Sequence, residues 1–320
     1  MSAPQLTTST KKYWDLKDKT VRAEYVWVNF SNHFWKIFSK TRNLDSMEWS
    51  APIFKSAKIP RWNFEDLYNS GSLQPAVNFD DPFRPKHSYI TLCETFLEEE
   101  VPMPFTRYRK DCRTKATVAR LDGHYFHIEQ EFHFEEYANI ELTIAHKDVI
   151  RKVLDCFYKA ANYAGLCICS FNLRNNRLFK YVTGPSNALR VCDELWMSRF
   201  IFQRVAEEFH LTPCFGPLIS GDVAHNTYIF SSFNMREGSD QEAMGEAQIW
   251  LEGLQTKFTR MMRSSIIFDE RIRPSPTYAL FDNKGRTHLE LKIACDIDPY
   301  VVTKSIIMAA SSIEFNVQNT

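Results

Sequence analysis

Residues 126–134 read FHIEQEFHF, a pattern that predicts a β-strand with two different faces. In an extended strand successive side chains point to opposite sides, and each residue advances the chain by about 3.3 Å. One predicted face is apolar except for a glutamine and consists of Phe126, Ile128, Gln130, Phe132 and Phe134. The other face consists of His127, Glu129, Glu131 and His133. Carboxylates and imidazoles are common metal ligands, so this strand is the first candidate for a functional site.

Further strands and helices follow one another around this strand without a regular order. Alternating or apolar runs predict strands at residues 22–30, 35–44, 89–96, 167–172, 178–183, 278–282 and 289–294. Helical spacing of apolar residues predicts helices at residues 146–165, 186–211, 237–262 and 298–312. The aromatic, proline-containing segment 59–69 is predicted to be a connector. Because strands and helices do not alternate as βαβ units, the predicted fold class is α+β.

Three segments are predicted along the chain. Residues 1–20 are rich in Ser, Thr and Lys and predict a disordered tail. The acidic, proline-containing stretch 97–106 is the best domain boundary. It separates a first domain at residues 21–102 from a second domain at residues 103–320.

Charge and hydropathy argue against two classes of partner. The 320 residues include 39 Lys and Arg against 39 Asp and Glu, which is not the basic surplus of a protein that binds nucleic acid or an anionic membrane. The richest basic window, residues 106–115, predicts the solvated face of a helix. No apolar run approaches the roughly 20 residues that span a bilayer, and the first residues lack the apolar core of a signal peptide. A cytoplasmic protein is therefore expected.

The cysteines agree with that expectation. The chain has 8 of them and no Cys-x-x-Cys pair, so free thiols in a reducing compartment are predicted. Cys167 and Cys169 are two residues apart in an apolar run and are predicted to face the same side of a strand. Buried free thiols are the favoured interpretation of this pair, ahead of a disulfide or a set of metal ligands.

Short motifs occur in a fixed order over residues 20–310. They are Ser39-Lys-Thr-Arg-Asn-Leu-Asp45, Pro60-Arg-Trp-Asn-Phe64, Asp81-Pro-Phe-Arg84, Leu92-Cys-Glu-Thr-Phe96, Phe126-His-Ile-Glu-Gln-Glu131, Tyr163-Ala-Gly165, Gly184-Pro185, Asp193-Glu-Leu-Trp196, Arg199-Phe-Ile201, Met235-Arg-Glu237 and Asp298-Pro299. In this order they resemble the landmarks of eukaryotic-type (type II) glutamine synthetase, and the chain is identified as a member of that family.

The resemblance implies a fold and an assembly. The family has a small N-terminal β-grasp domain followed by a larger catalytic-type domain, whose curved antiparallel sheet forms half of an active-site funnel. Its members assemble as stacked rings, in which the neighbouring subunit completes each site. They join glutamate and ammonia with ATP through a γ-glutamyl phosphate, and divalent Mg²⁺ or Mn²⁺ ions neutralise the phosphates.

The same resemblance implies that half of the metal site has changed. Glu129 and Glu131 match the two carboxylates of the family's metal-bearing strand. Two further glutamates of the family, on a second strand, are matched here by Arg174 and Lys180. Cations in place of two anions would repel a divalent metal ion, so metal binding in the family's manner is predicted to be lost.

Other family positions also depart from the pattern. Counted back from Asp298, the family's last metal glutamate falls on Leu289, and its paired arginines fall on Leu291 and Lys292. His225 lies two residues out of register with the family's histidine, and the active-site flap and a Gly/Pro-rich loop have no counterpart. Glu65 keeps the carboxylate of the ammonium-binding loop, but bulky residues follow it.

These departures predict a catalytically inactive homologue with a structural, assembly or regulatory interaction role. No catalytic residue and no cofactor are expected, and the expected partner is a second copy of the chain or an active glutamine synthetase. One alternative is residual glutamate–ammonia ligase activity with ATP and Mg²⁺ or Mn²⁺. Another is a binding protein with a repurposed metal or nucleotide site.

Three interpretations remain open for the charged face of the strand. In the favoured one, Glu129 and Glu131 pair with Arg174 and Lys180 on an adjacent strand, because a buried carboxylate needs a compensating cation. In the second, His127 and His133 belong to a new Zn²⁺ site. Neighbours on one face lie about 6.6 Å apart, so such an ion would need ligands from elsewhere. In the third, the face is polar without either role.

Overall fold

The computed structural model describes most of the chain. The residues that it describes are 21–31, 34–44, 59–65, 70–84, 88–119, 125–173, 178–216, 225–232, 256, 278–281, 287–294 and 297–317. The predicted tail, Arg174, the Met235-Arg-Glu237 motif and, apart from residue 256, the predicted helix 237–262 lie outside this set.

The chain divides into two compact units. The first unit comprises residues 1–106, 142–166 and 197–213. The second unit comprises residues 107–141, 167–196 and 214–320. The linear domain boundary near residue 102 stays a prediction.

A five-stranded sheet forms the body of the first unit. Its strands are β1 (Val21–Ser31), β2 (Phe34–Leu44), β3 (Trp62–Glu65), β4 (Ser70–Asp80) and β5 (Tyr89–Phe96). They lie in the order β2-β1-β5-β4-β3, with β1 and β5 parallel and the other neighbours antiparallel. The predicted strands at 22–30, 35–44 and 89–96 are confirmed. Tyr25, Trp27 and Leu73 are buried in its core.

The segment 59–69 is not simply a connector, as predicted, because it contains strand β3. β3 pairs with β4, a strand that the sequence analysis missed. Proline cannot donate a ladder hydrogen bond and is usual only at sheet edges and bulges. Pro75 in β4 meets this requirement, since the β4–β5 register shifts between Pro75 and Val77.

Helix α2 (Ile144–Tyr163) belongs to the first unit and begins and ends with standard capping contacts. The Thr143 hydroxyl accepts a hydrogen bond from the His146 amide at 3.2 Å, and the Thr143 amide donates to His146 Nδ1 at 3.3 Å. The helix ends before Gly165, whose φ of 81° suits glycine at this position. Its buried face is the predicted one: Ile150, Val153, Leu154, Phe157 and Ala161.

The second unit is built on an antiparallel sheet. Its main strands are β6 (Tyr125–Phe134), β7 (Ile168–Leu173), β8 (Phe179–Ser186), β10 (His225–Ser232), β11 (Tyr278–Phe281) and β12 (Thr287–Ala294). They lie in the order β11-β12-β10-β6-β8-β7, and the two-residue β9 (Pro213–Cys214) also pairs with β6. Strand β6, which contains the FHIEQEFHF stretch, is therefore in the middle of the sheet.

The two predicted faces of β6 are confirmed. Its apolar face is at most 1% exposed at every position from Phe126 to Phe134. Phe132 on this face packs against Phe179 and Tyr181, with ring centroids 5.5 and 6.0 Å apart. The opposite face carries the charged residues and is only partly buried at His127 and Glu129.

Three α-helices besides α2 lie in the described part of the chain. They are α1 (Pro104–Val118), α3 (Ala188–Glu207) and α4 (Pro299–Val317). α4 begins at the predicted proline, and the Asp298 carboxylate caps it by accepting from the Tyr300 amide at 2.8 Å. Arg109 of α1 donates two hydrogen bonds, of 2.9 and 2.8 Å, to the buried Asp193 of α3. None of the helices in the described part of the chain has the length and apolar character needed to cross a membrane.

The intermixed sheets and helices confirm the predicted α+β class. Most predicted elements are present with small shifts of their ends, and the largest shift is in α4, which runs to Val317 rather than residue 312.

Candidate functional site

The charged face of the second sheet is defined by strand register. Residues directly opposite each other on antiparallel strands point to the same side of a sheet. Glu131 lies opposite Lys180 on β8, and Glu129 lies opposite Thr227 on β10. Thr227 in turn lies opposite Lys292 on β12, and alternation places Glu290 on the same side as Lys292. We call Glu129, Glu131, Lys180, Glu290 and Lys292 the charged face.

Lys180 forms the cross-strand ion pair that was predicted for it. Its Nζ lies 2.7 Å from Glu129 Oε2, and the two side chains are 28% and 19% exposed. The Cα atoms of Lys180 and Glu131 are direct partners, so the lysine side chain reaches diagonally to Glu129. The predicted partner Arg174 lies outside the described residues.

Glu131 lies near a cation that the sequence analysis did not assign to it. Lys292 Nζ is 3.9 Å from Glu131 Oε1, and the Glu131 side chain is only 2% exposed. A buried carboxylate is costly unless a positive charge or hydrogen bonds compensate it. The alternation Glu290, Leu291, Lys292 in β12 is a signal that could have predicted this partner from the sequence.

The sheet register also changes which residues of β12 belong to the site. Leu291, 2% exposed, lies opposite Tyr228, which lies opposite Ile128 on the apolar face. For Leu289 the structure describes the backbone, which pairs with Phe230. A slip of one residue transfers a strand's side chains from one face to the other. The count along the sequence had selected Leu289, Leu291 and Lys292, whereas the register places Glu290 and Lys292, and not Leu291, on the charged face.

The two histidines of β6 have separate environments. His127 is partly buried, with Nδ1 4.0 Å from Cys169 Sγ. His133 is buried, and its Nδ1 has no hydrogen-bond partner in the part of the chain that the structure describes. Burial lowers the pKa of His133. Six strand residues separate the two rings by about 20 Å, so they cannot bind one ion together. Across the described ranges, no three His, Cys, Asp or Glu side chains form a group that could hold a metal ion.

Glu65 is placed at the end of β3 in the first unit, where its backbone pairs with Ser70. Its side chain is exposed. The residues that follow it, 66–69, lie outside the described set.

The charged face does not fit the divalent cations that the family resemblance implies. Mg²⁺ requires about six oxygen ligands in near-octahedral geometry. Here an ammonium group already lies 2.7 Å from the Glu129 carboxylate, and a second lies 3.9 Å from Glu131. A dication and an ammonium group about 4 Å apart repel by about 8 kcal/mol at an effective dielectric constant of about 20. The lysines therefore act as the counter-ions of these carboxylates.

Comparison with known proteins shows which proteins the chain as a whole is similar to. No protein-family model matches the chain. Glutamine synthetase of Yarrowia lipolytica is 30% identical over 240 residues, which cover 64% of this chain and 62% of that protein. Glutamine synthetase of Fusarium solani subsp. phaseoli is 28% identical over 286 residues, which cover 77% of this chain and 75% of that protein. The chain thus spans about three fifths of the Yarrowia protein and three quarters of the Fusarium protein.

A solved structure has the same fold. The cryo-EM structure of Plasmodium falciparum glutamine synthetase superposes with a TM-score of 0.66 at 12% sequence identity, covering 98% of this chain and 76% of that chain. Identity this low supports a statement about fold alone, while the two fungal relatives support one about ancestry. This chain is a homologue of the eukaryotic glutamine synthetases and has their fold.

Proposed function

We propose that this chain is a glutamine synthetase-like protein without ligase activity, which acts through assembly with other protein chains. The observation that carries the proposal is the 2.7 Å ion pair between Lys180 and Glu129. This contact places a fixed ammonium group at the carboxylate that matches a metal ligand of the family.

The chemistry of the family explains why this contact matters. Phosphoryl transfer depends on metal ions that bridge and neutralise phosphate oxygens. An ammonium group carries one charge and forms hydrogen bonds rather than coordination bonds, so it does not replace a divalent ion that coordinates phosphate and protein oxygens together. Lys180 and Lys292 both lie within ion-pair distance of the carboxylates of β6, which supports loss of metal-dependent turnover.

The proposed partner is a second copy of this chain or an active glutamine synthetase. The support is the family's ring assembly together with a fold that covers 98% of the chain in the superposition. The proposed assembly would use the surfaces that this shared fold presents.

Two measurements test the proposal. Native mass spectrometry of the chain, alone and mixed with an active glutamine synthetase, is expected to show homo-oligomers or mixed rings. A strict monomer in both samples would refute the assembly role. A glutamate- and ammonia-dependent release of phosphate from ATP, measured with Mg²⁺ or Mn²⁺, is expected to stay at background, and turnover above background would refute the inactivity.

A thermal shift adds a test of binding without turnover. Ligand at about 100 times its Kd raises the apparent stability by about 2.7 kcal/mol. We expect no shift with Mg²⁺ and ATP or with Zn²⁺. A shift with either addition would support a repurposed nucleotide or metal site.

Glu290 favours a second candidate function, residual ligase activity. It adds a third carboxylate to Glu129 and Glu131 on the charged face, and it lies two residues before a cation, Lys292. This spacing corresponds to the family's last metal glutamate and the arginine two residues later. The phosphate-release assay at high Mn²⁺ separates this candidate from the first, and loss of any activity in Glu290→Gln would assign it to this site.

A further inference from the structure

Cys167 and Cys169 lie at a double irregularity of the second sheet. In the pairing of β7 with β8, Ile168 lies opposite Thr183, and Ser170 lies opposite Val182. Thr183 and Val182 are consecutive, whereas Cys169 lies between Ile168 and Ser170. Cys169 is therefore an extra residue in β7. The β6–β8 register shifts beside it, next to Gly184 of β8. Bulges bend a strand and redirect its side chains.

Both thiols converge on one backbone oxygen. Cys167 Sγ donates to the Gly184 carbonyl oxygen at 3.1 Å, and Cys169 Sγ contacts the same atom. Position 184 requires glycine, because its φ is 99° and a Cβ atom there would lie 2.4 Å from the Phe126 carbonyl oxygen. The backbone around this carbonyl therefore holds the two sulfurs together.

The irregular backbone at Cys169 is what makes a covalent bond between the two cysteines possible. Residues two apart in a regular strand have both their Cα atoms and their Cβ atoms about 6.6 Å apart. Disulfides span Cα separations of about 4.4–6.8 Å but require Cβ separations of about 3.5–4.5 Å. The bulge bends the strand away from the regular geometry, and both sulfurs contact the same Gly184 carbonyl oxygen, which brings them within reach of each other.

We propose that Cys167 and Cys169 are a modification site that forms a reversible disulfide on reaction with a small-molecule disulfide such as oxidised glutathione. Cys169 is exposed and Cys167 is partly buried, so Cys169 is the thiol that reacts first. After losing its proton to solvent, Cys169 attacks one glutathione sulfur and releases one reduced glutathione. Cys167, also deprotonated, then attacks Cys169 Sγ, forms the intramolecular disulfide and releases the second. Two electrons pass from the protein dithiol to the oxidant.

The other described cysteines provide internal controls. Cys156 on α2 is exposed but has no cysteine two residues away, so it can form only a mixed disulfide with glutathione. Cys112 and Cys192 are fully buried, so glutathione cannot reach them in the folded protein. The pair at 167 and 169 combines access with a neighbouring thiol.

The test uses the full chain in glutathione buffers of graded redox potential, followed by alkylation of free thiols, trypsin digestion and mass spectrometry. Trypsin releases residues 160–174, which contain Cys167 and Cys169 as their two cysteines, and residues 153–159, which contain Cys156. We expect peptide 160–174 to lose two hydrogen atoms, to resist alkylation and to be restored by reduced glutathione. In Cys167→Ser, Cys169 should accumulate bound glutathione instead.

The folded state should favour the disulfide over the same reaction in the chain unfolded in urea. We expect its equilibrium constant with glutathione to be on the order of tenfold larger in the folded protein, a difference of about 30 mV. Equal constants in the two states would overturn the proposal. So would a folded wild-type protein in which both thiols stay alkylatable, or each carries its own glutathione, in a buffer that modifies Cys156.

Discussion

Each unit of this protein buries a glutamate near cations, and the two sites differ in the length of the ion pair that each glutamate forms. Glu24 of the first unit accepts hydrogen bonds of 2.6 Å from both Ser39 and Thr41 and pairs with Arg84 at 2.5 Å. In the second unit, Lys292 Nζ lies 3.9 Å from Glu131 Oε1. Both glutamates are almost completely buried.

The Glu24 site is a closed network. Arg84 also donates to Asp81 at 2.7 Å, and Asp81 accepts from the Phe83 amide at 2.8 Å. Burial alone would raise the pKa of Glu24, but the hydrogen bonds from Ser39, Thr41 and Arg84 lower it overall. The carboxylate is therefore held in its ionised form by short, directed contacts.

The comparison separates two groups of motif residues. Ser39, Thr41, Asp81 and Arg84 all belong to motifs through which the chain resembles glutamine synthetase, and here they form one network with Glu24. The motif glutamates of β6 instead face lysines, at positions where the resemblance implies metal ligands. The first group stabilises the fold, whereas the second group carries the charged face.

The largest expected effect comes from breaking the closed network. Arg84→Ala removes the cation that pairs with Asp81 and the closer of the two cations at Glu24, leaving Arg204 at 3.8 Å, and should lower the free energy of unfolding by about 3–5 kcal/mol. Urea unfolding followed by circular dichroism measures this. Arg61→Ala is the matched control, because Arg61 pairs with Glu100 at 2.6 Å where both side chains are at least 50% exposed. That control should cost less than about 1 kcal/mol, and equal losses in the two variants would contradict the prediction.

Neutralising each buried glutamate compares the two sites directly. Glu24→Gln loses hydrogen bonds to a charged group and should cost about 2–3 kcal/mol. Glu131→Gln should cost less than about 1 kcal/mol, because its contact with Lys292 is long and the variant no longer buries a charge. Both free energies come from the same urea titration. A larger loss in Glu131→Gln would mean that the charged face is as tightly organised as the Glu24 network.

Reversing the charge of Lys180 tests whether this cation prevents metal binding at the charged face. Lys180→Glu places a carboxylate beside Glu129, so it should destabilise the metal-free protein by about 1–2 kcal/mol. It should also raise the affinity for Mn²⁺ on the order of tenfold, because the repelling cation is gone. Isothermal titration calorimetry measures the affinity. Lys152→Glu is the control, since Lys152 pairs with Asp148 on the exposed side of α2. An unchanged Mn²⁺ affinity in Lys180→Glu would remove the main support for this account of the charged face.

The smallest expected effect is the pH dependence at His133. Burial lowers its pKa in the folded state, so below about pH 6.5 the unfolded chain binds the proton first. Stability should therefore fall as the pH drops from about 7 towards 5, by at most about 1.4 kcal/mol per pH unit from this residue. His133→Gln should flatten that part of the profile relative to wild type. An unchanged slope in the variant would show that other groups cause the pH dependence.

Local patterns predicted much of the fold and part of the site. The alternation in FHIEQEFHF was sufficient to separate the buried face of β6 from its charged face, because strand geometry depends on neighbouring residues alone. The spacing of apolar residues likewise predicted the buried face of α2. The pairing of Lys180 with a glutamate of β6 was predicted from the need to compensate a buried charge.

Other features depended on contacts between distant segments. Strand β4 contains Pro75, and its place in the sheet became evident only with the register shift to β5. The pairing of β12 with β10 decided which residues of β12 lie on the charged face. These are Glu290 and Lys292, and not Leu291. Counting along the sequence could not make this choice, since an error of one residue reverses the face.

The sequence by itself determined that this protein is α+β, that it resembles glutamine synthetase, and that β6 carries two carboxylates on one side. These properties follow from composition, local periodicity and the order of motifs. The tertiary structure decided which cation meets which carboxylate and which face each residue of β12 occupies, and it brought the two thiols to the Gly184 carbonyl. The physical reason is that strand register and bulges are set by pairing between segments far apart in the chain, where a shift of one residue changes every partner.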